Sequence, residues 1–483
     1  MTHAGVRLVA PITVLLAAAL FAGVVAGPAA AAEPVAPTPA APKPAAPPKY
    51  DVLRFREDWS GLRATPWCER CDLTDRLKAI DVMCPPDVWV NVGGQLRARY
   101  ETWDNQNFGS IPGQDDWWLL RARLHVDLHV GKHFRVFAEG IYADADGRDV
   151  GPRPVDENHG DFLNLFAEGR GSVGCAEVGA WIGRHELLFC KQRLVGPADW
   201  TNVRRTFDGV GGWVKGSGWR LDAFWVRPVI VEADEGDEAD EHTEFAGAHF
   251  VRNVSKDRTC EAYAYYLHRD TGTWFKTGRE ESRLTLGVAS AGPIGCSRFD
   301  YDTELAYQAG DWGDESISAG MGTLELGWKP GWCWQPRFAL GADWASGGHG
   351  PNDTLSTFHQ LFPTGHLWFG WADLIGRQNL VAARFTATAK PMDKLTLRGD
   401  LHQFWRASVD DAVYNAGGGV LRAPGFGSDR EVATEVDLQV KFAWNRHVEV
   451  EVGWSHVFAG AYIEASGPSE DVDFGWAQVV FTF

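Results

Sequence analysis

The chain has 483 residues, a formal net charge of −18, 12% aromatics including 23 Trp, and 54 Gly. An acid excess of this size excludes nucleic acid as a partner, because phosphate binding needs a basic footprint. Hydrophobic residues make up 45% of the chain, yet beyond residue 32 no apolar run is long enough for a membrane helix. That excludes a helical membrane protein, but not a barrel whose apolar residues fall one per two positions.

Residues 1–32 read as a secretory signal. Arg7 opens it, an apolar stretch runs from Leu8 to Ala26, and Ala30-Ala31-Ala32 precede Glu33. Residues 33–49, an Ala/Pro tract, are a stiff spacer. Residues 50–86 form a small segment, expected in the periplasm, with Cys68, Cys71 and Cys84. In an exported protein its Cys-x-x-Cys reads as a disulfide element. A zinc site would need a fourth ligand, and none sits at suitable spacing, so no metal or cofactor is expected. Residues 72–83 have the length of a short helix.

From residue 87 the pattern becomes period 2. In 88–100 the even positions are Val88, Val90, Val92, Gly94, Leu96, Ala98 and Tyr100, and the odd ones include Asn91, Gln95, Arg97 and Arg99. In 118–130 the even positions are again apolar, while Arg121, Arg123, His125, Asp127 and His129 occupy odd ones. Runs of this length exceed ordinary soluble strands and, tilted, can cross a bilayer. Eighteen such strands are expected, the first at 88–101, 116–130, 133–143, 161–173, 176–189, 204–215, 219–230, 243–255 and 258–269. The other nine are expected at 279–292, 296–310, 316–329, 335–346, 377–390, 393–408, 430–445, 447–462 and 472–483.

The connections alternate short and long. Tight ones lie near Gly131-Lys132, Gly174, Gly216-Ser217, Lys256-Asp257, Gly295 and Arg446, and long ones at 144–160, 190–203, 231–242, 347–376 and 409–429. That asymmetry predicts an all-β fold: an 18-stranded antiparallel transmembrane barrel over 87–483, with periplasmic turns, extracellular loops and both termini in the periplasm. The chain ends on Phe483, two residues after Phe481 on an apolar-alternating strand. Trp117, Trp118, Tyr142, Trp219, Trp328, Trp344 and Trp444 are expected in aromatic girdles against outer-membrane lipid.

Parity assigns the lumen face. A charge facing lipid at the midplane costs ~2–4 kcal/mol for Arg or Lys, so folding alone drives these residues inward. The inner set holds Arg97, Arg99, Arg121 and Arg123, then Arg184, Glu186, Arg204 and Asp208, then Arg384, Arg398, Asp400 and Arg406. Arg193 is expected on an infolded loop. Arg dominates the first three strands and strands 14–15, acids dominate 16–17, and closure brings the last strands back beside the first, so that an Arg-rich wall faces acids. Such a transverse field selects charged permeants, and Arg forks suit carboxylates. Of the set, Arg184, Arg193 and Arg204 are expected to touch the permeant. Loops 144–160, 190–203 and 347–376 are long enough to constrict the lumen. The run at 232–244 (EADEGDEADEHTE) has eight acids and no Lys or Arg. It reads as a solvated loop, with a divalent-cation bridge as the functional alternative.

The stretch WIGRHELLFCKQRLVGPADWTNVRRTFDGV at 181–210 resembles the alginate export porin family of Gram-negative outer membranes. The resemblance rests on Gly183, Arg184, Glu186, Gln192, Arg193, Leu194, Asp199, Trp200, Asn202, Arg204, Arg205, Phe207, Asp208 and Gly209. It implies an 18-stranded barrel in the cell outer membrane whose arginine-lined constriction passes an anionic polysaccharide of the polyuronate kind outward, with periplasmic export machinery as a further partner. His185 stands where the family carries Gln, and the spacer and three-Cys segment lie outside its pattern. Eight Cys is high for such a barrel. A Cys260–Cys296 or Cys296–Cys333 bridge requires the turns to lie within disulfide reach.

An uptake porin for small anions or sugars fits the same strand pattern. An outer-membrane hydrolase fits poorly, and no enzyme activity is expected. There is no Gly-x-Ser-x-Gly, no His-Glu-x-x-His and no phosphate loop. The adjacent Ser455 and His456 would point to opposite faces of one strand.

Overall fold

Alternating side chains give each strand an apolar and a polar face, and a sheet can place the first in lipid only if no backbone edge is left open. The computed structural model, which describes residues 48–483 except Cys71, 85–86, 271–277 and 351–353, shows that solution. The expected signal and nearly all of the spacer lie outside the described residues.

Eighteen strands make the wall. They are β1 (Val88–Asp104), β2 (Gln114–Val130), β3 (Phe134–Asp146), β4 (Asn158–Val173), β5 (Ala176–His185) and β6 (Phe207–Gly216). Then come β7 (Trp219–Ile230), β8 (Thr243–Ser255), β9 (Arg258–Arg269), β10 (Glu281–Pro293), β11 (Phe299–Trp312) and β12 (Glu315–Trp328). The last six are β13 (Arg337–Ala345), β14 (Leu380–Met392), β15 (Leu395–Arg406), β16 (Glu431–Ala443), β17 (Val448–Ala459) and β18 (Val472–Thr482). Each pairs antiparallel with the next, and β18 returns to β1, where Gln95 faces Thr482 and Asp104 faces Asp473. The last rung joins Gly94 and Phe483, each N–H donating to the other's carbonyl at 2.9 and 3.0 Å. The wall is therefore closed.

Exposure follows the pleat. Leu96, Leu120, Leu124 and Val126 are exposed on the outer face, while Arg97, Arg121, Arg123 and Asp127 are buried on the inner one. Trp118, Tyr142, Trp328, Trp344 and Trp444 are exposed on the outside as a girdle requires. Trp117 departs from the expectation. It faces inward, 1% exposed, with its ring parallel to that of Trp103, because a Trp-Trp dipeptide on a strand must split between the two faces.

Most outer loops are long and the inner turns tight, but the β11–β12 connection is only Gly313-Asp314. The expected helix at 72–83 is instead a 3₁₀ turn, Thr74–Leu77, followed by a short strand, Ile80–Met83, that pairs with the periplasmic end of β1. The seven described cysteines are all free, so neither Cys260–Cys296 nor Cys296–Cys333 is bridged; Cys71 lies outside the described residues. The inner face is not purely polar. Phe137, Phe166, Phe207, Phe224 and Phe245 join Leu194, Phe358 and Phe362 in one buried cluster, and Trp103, Trp117, Trp371 and Trp476 anchor another. Residues from the 186–206 and 346–379 loops in both clusters show that these loops fold into the lumen.

Candidate functional site

The apolar run Leu187-Leu188-Phe189 looks like a continuation of β5, but β5 ends at His185. Gly183 sets up the departure: its φ is +125°, and a Cβ there would lie 2.2 Å from the Leu165 carbonyl, so only glycine fits. The chain turns inward, with Cys190, Gln192 and Ala198 at positive φ, and rejoins the wall at Phe207. Glu186 and Arg204 therefore sit on the infolded loop, not on strands. Arg184 and Asp208 remain on the wall, directly opposite each other and paired at 2.8 Å. Arg184 also reaches Asp161 at 3.4 Å and donates to the Asp237 carbonyl at 2.8 Å. The acidic run is thus tied to the wall at Asp237.

The two infolded loops pair with each other. Val195 and Phe362 form a parallel bridge, with N–H donation from Phe362 to Leu194 and from Gly196 to Phe362. Arg205 donates to the carbonyls of Gly196 (3.2 Å) and Pro363 (2.9 Å). Parity would have sent Arg205 to the outer rim; leaving the strand early puts it at this joint.

The arginines of β1 and β2 hold the loop from the wall side. Arg97 donates to the carbonyls of Asp199, Trp200 and Thr201 and to the Asn202 side chain. Arg99 pairs with Glu101 at 2.9 Å and lies 4.3 Å over the Trp200 ring. Arg121 pairs with Asp199 at 2.8 Å, and Arg123 with Glu139 at 2.8 Å. Glu139 accepts from Asn164, which also donates to Glu186, and Arg204 pairs with Glu186 at 2.6 Å and with Asp199. Arg193 pairs with Asp302 at 2.8 Å and packs 3.7 Å over Trp368. Arg97, Arg99, Arg121, Arg123, Arg193 and Arg204 are each no more than 5% exposed. Their charge is directed at loop carbonyls and carboxylates.

Strands β14 and β15 repeat this on a smaller scale. Arg384 pairs with Glu325 and donates to the Trp368 carbonyl at 3.0 Å. Arg398 pairs with Asp400 at 2.6 Å and keeps a quarter of its side chain exposed. Arg406 leaves the constriction altogether: it donates to carbonyls of the 407–430 loop and stacks on Tyr462 at 3.5 Å. Ser455 and His456 do split between faces, Ser455 donating to Asp437 and His456 bonding to Asp473.

Sequence patterning gave no sign that Leu53–Phe55 and Lys78 pack inside the barrel. Arg54, 3% exposed, donates to the carbonyls of Gly94 and Phe483 at 2.8 Å each and pairs with Glu57 at 2.6 Å. Phe55 packs edge-on against Phe137 and Phe166, and Arg204 donates to the Val52 carbonyl at 3.0 Å. Lys78 is fully buried, donates to the Val92 carbonyl at 2.7 Å, and lies 5.0 Å over the Trp59 ring; burial, helped by Arg54, pushes its pKa down to about 7. Below, the Arg446-His447 turn clamps the segment through Asp72 and Asp75. Beside the segment a vestibule of about 890 Å³ opens at the periplasmic mouth, lined by Arg56, Arg63, Lys132, Arg170, Arg220 and several carboxylates.

A closed barrel of eighteen strands, apolar outside and charged inside, with loops folded into its lumen, is an outer-membrane porin. Its narrower kinship comes from the sequence: the alginate export family model matches residues 88–476, and the chain belongs to that family. Among solved structures it is similar to a BenF-like porin from Pseudomonas fluorescens Pf-5 (TM-score 0.57, 11% identity, 82% of this chain and 98% of that one). It is also similar to Pseudomonas aeruginosa OccK11 (OpdR), at TM-score 0.55 and 12% identity over 82% and 96% of the chains, and to P. aeruginosa OpdQ, at 0.55 and 12% over 82% and 98%. At these identities the likeness is one of fold. No curated protein matches the chain.

Proposed function

We propose that the protein passes an anionic polysaccharide of the polyuronate kind from the periplasm outward, by passive, charge-selective diffusion. The observation that supports it most is the set of inward-facing arginines around the two paired loops, Arg97 and Arg121 on β1 and β2 and Arg384 and Arg398 on β14 and β15. Within this set Arg97, Arg99, Arg121, Arg193 and Arg204 shape the constriction by holding the loop, while Arg123 pairs with Glu139 on the wall. Arg184, Arg398, Asp208 and Asp400 border the path, with Glu186 behind them. A polymer exported from the periplasm would meet the vestibule first, where Arg56 lies beside Arg170 and Arg220, the latter two paired with Glu168 and Asp222.

Planar-bilayer conductance of the purified protein tests this. Anion selectivity, with block by a polyuronate added on the vestibule side, is expected. Cation selectivity would overturn the role given to the arginines. An unblocked, sugar-permeable channel would favour uptake of small solutes instead.

A further inference from the structure

We propose that Cys190, His249 and Glu261 form a binding site for a thiophilic divalent cation such as Zn²⁺, reached from the periplasmic vestibule. Cys190 lies on the infolded loop, His249 on β8 and Glu261 on β9, so three separate stretches of chain converge on one point. The His249 Nε2 atom lies 3.5 Å from the Cys190 Sγ and 2.9 Å from a Glu261 carboxylate oxygen, and all three ligand atoms fall within 4.8 Å of one another. Tetrahedral zinc with Zn–S of ~2.3 Å and Zn–N of ~2.0 Å separates sulfur from nitrogen by about 3.6 Å, close to the spacing present. Seating the ion would widen the 2.9 Å separation of His249 and Glu261 to about 3.4 Å.

The surroundings suit an ion. His249 is 3% exposed, and its ring is fixed between Phe189 (4.7 Å) and Tyr263 (6.5 Å). All three residues line the 890 Å³ vestibule, which gives the ion a path from water and leaves room for a fourth, solvent ligand. The mixed S, N, O donor set favours Zn²⁺ over Ca²⁺ or Mg²⁺, which take oxygen. Cys190 has a φ of +47°, a conformation few non-glycine residues adopt, and it aims the thiol at the wall. An ion here would fasten the start of the infolded loop to β8 and β9. It would bind by displacing the thiol proton to solvent, with no redox change.

The test uses full-length protein in which the other seven cysteines are Ser, titrated with Co²⁺ under reducing conditions. One equivalent should bind and give a thiolate-to-metal charge-transfer band that Zn²⁺ removes. The band should vanish in Cys190→Ser, and affinity should fall at least about tenfold in His249→Ala and Glu261→Gln, with the barrel still heat-modifiable on gels. Absence of the band, or an unchanged Co²⁺ affinity in His249→Ala, would overturn the site. If Cys190→Ser fails to fold, maleimide labelling of Cys190 replaces it: Zn²⁺ should slow the reaction, and an unchanged rate refutes the proposal. Neither readout depends on what the channel carries.

Discussion

Arg204→Met separates a loop-holding arginine from a permeant-touching one. Arg204 is 2% exposed, pairs with Glu186 at 2.6 Å and with Asp199, and donates to the Val52 carbonyl at 3.0 Å. Glu186 is fully buried, and once Arg204 is gone it keeps the hydrogen bond from Asn164, a neutral amide, in place of the cation. Removing one partner of a buried ion pair costs about 3–5 kcal/mol. At 1.4 kcal/mol per decade this shifts the loop's docked-to-released ratio by roughly 10² to 10⁴. None of the wall's ladder bonds uses Arg204, so the barrel should stay heat-modifiable. Single-channel recordings should show larger, noisier conductance as the 186–206 loop leaves the constriction. Unchanged conductance with a lower anion-to-cation permeability ratio would refute this reasoning and make Arg204 a permeant contact. Loss of the heat-modifiable form would show that the barrel needs it to fold.

Deleting residues 50–79 removes Arg54, Phe55 and Lys78 from the mouth; conductance should rise while the protein still inserts, and an unchanged value would show that the segment does not obstruct the path. Lys78 binds fewer protons docked than free, so docking should tighten as pH rises from about 7 towards the ordinary lysine value of about 10 and be flat below 7. Protease access to the segment across that range reads this, and Lys78→Met should abolish the trend. Partial burial works against ionisation of Asp72, but its hydrogen bonds from His447 and Thr74 win and hold it down to about 2. The contribution of that clamp is present above about pH 4 and fades as pH falls through 2, so Asp72→Asn should lose segment protection at neutral pH but differ little from the parent at the lowest pH. Gly183→Ala puts a methyl 2.2 Å from the Leu165 carbonyl at φ +125°, and should weaken heat-modifiability by about 1–3 kcal/mol, read as a lower unfolding temperature.

The wall was legible because lipid and water impose opposite demands on alternate residues, a rule each strand obeys independently. The interior was not, because parity stops applying where the chain leaves the wall. Leu187 and Phe189 continue an apolar strand pattern, but they meet Phe224 and Tyr265 inside rather than lipid outside. Parity places Glu186 and Arg204 on the strand wall. They do pair, but through the loop. The docking of residues 48–84 had no local signal at all: Arg54 meets Phe483 across 429 residues of sequence. Trp117 was misplaced for a simpler reason, since it shares a dipeptide with a true girdle residue.

The two carbonyls that Arg54 grips belong to Gly94 and Phe483, the partners in the closing rung of the wall. No half-built sheet contains both. The Arg54 side chain therefore has no seat until Phe483 is in place. Once there, Arg54 and Glu57 are covered by the very seam they latch. Occupancy of that seat reports a finished barrel, and a chain stalled one strand short would leave the segment around Arg54 unlatched and open to proteases.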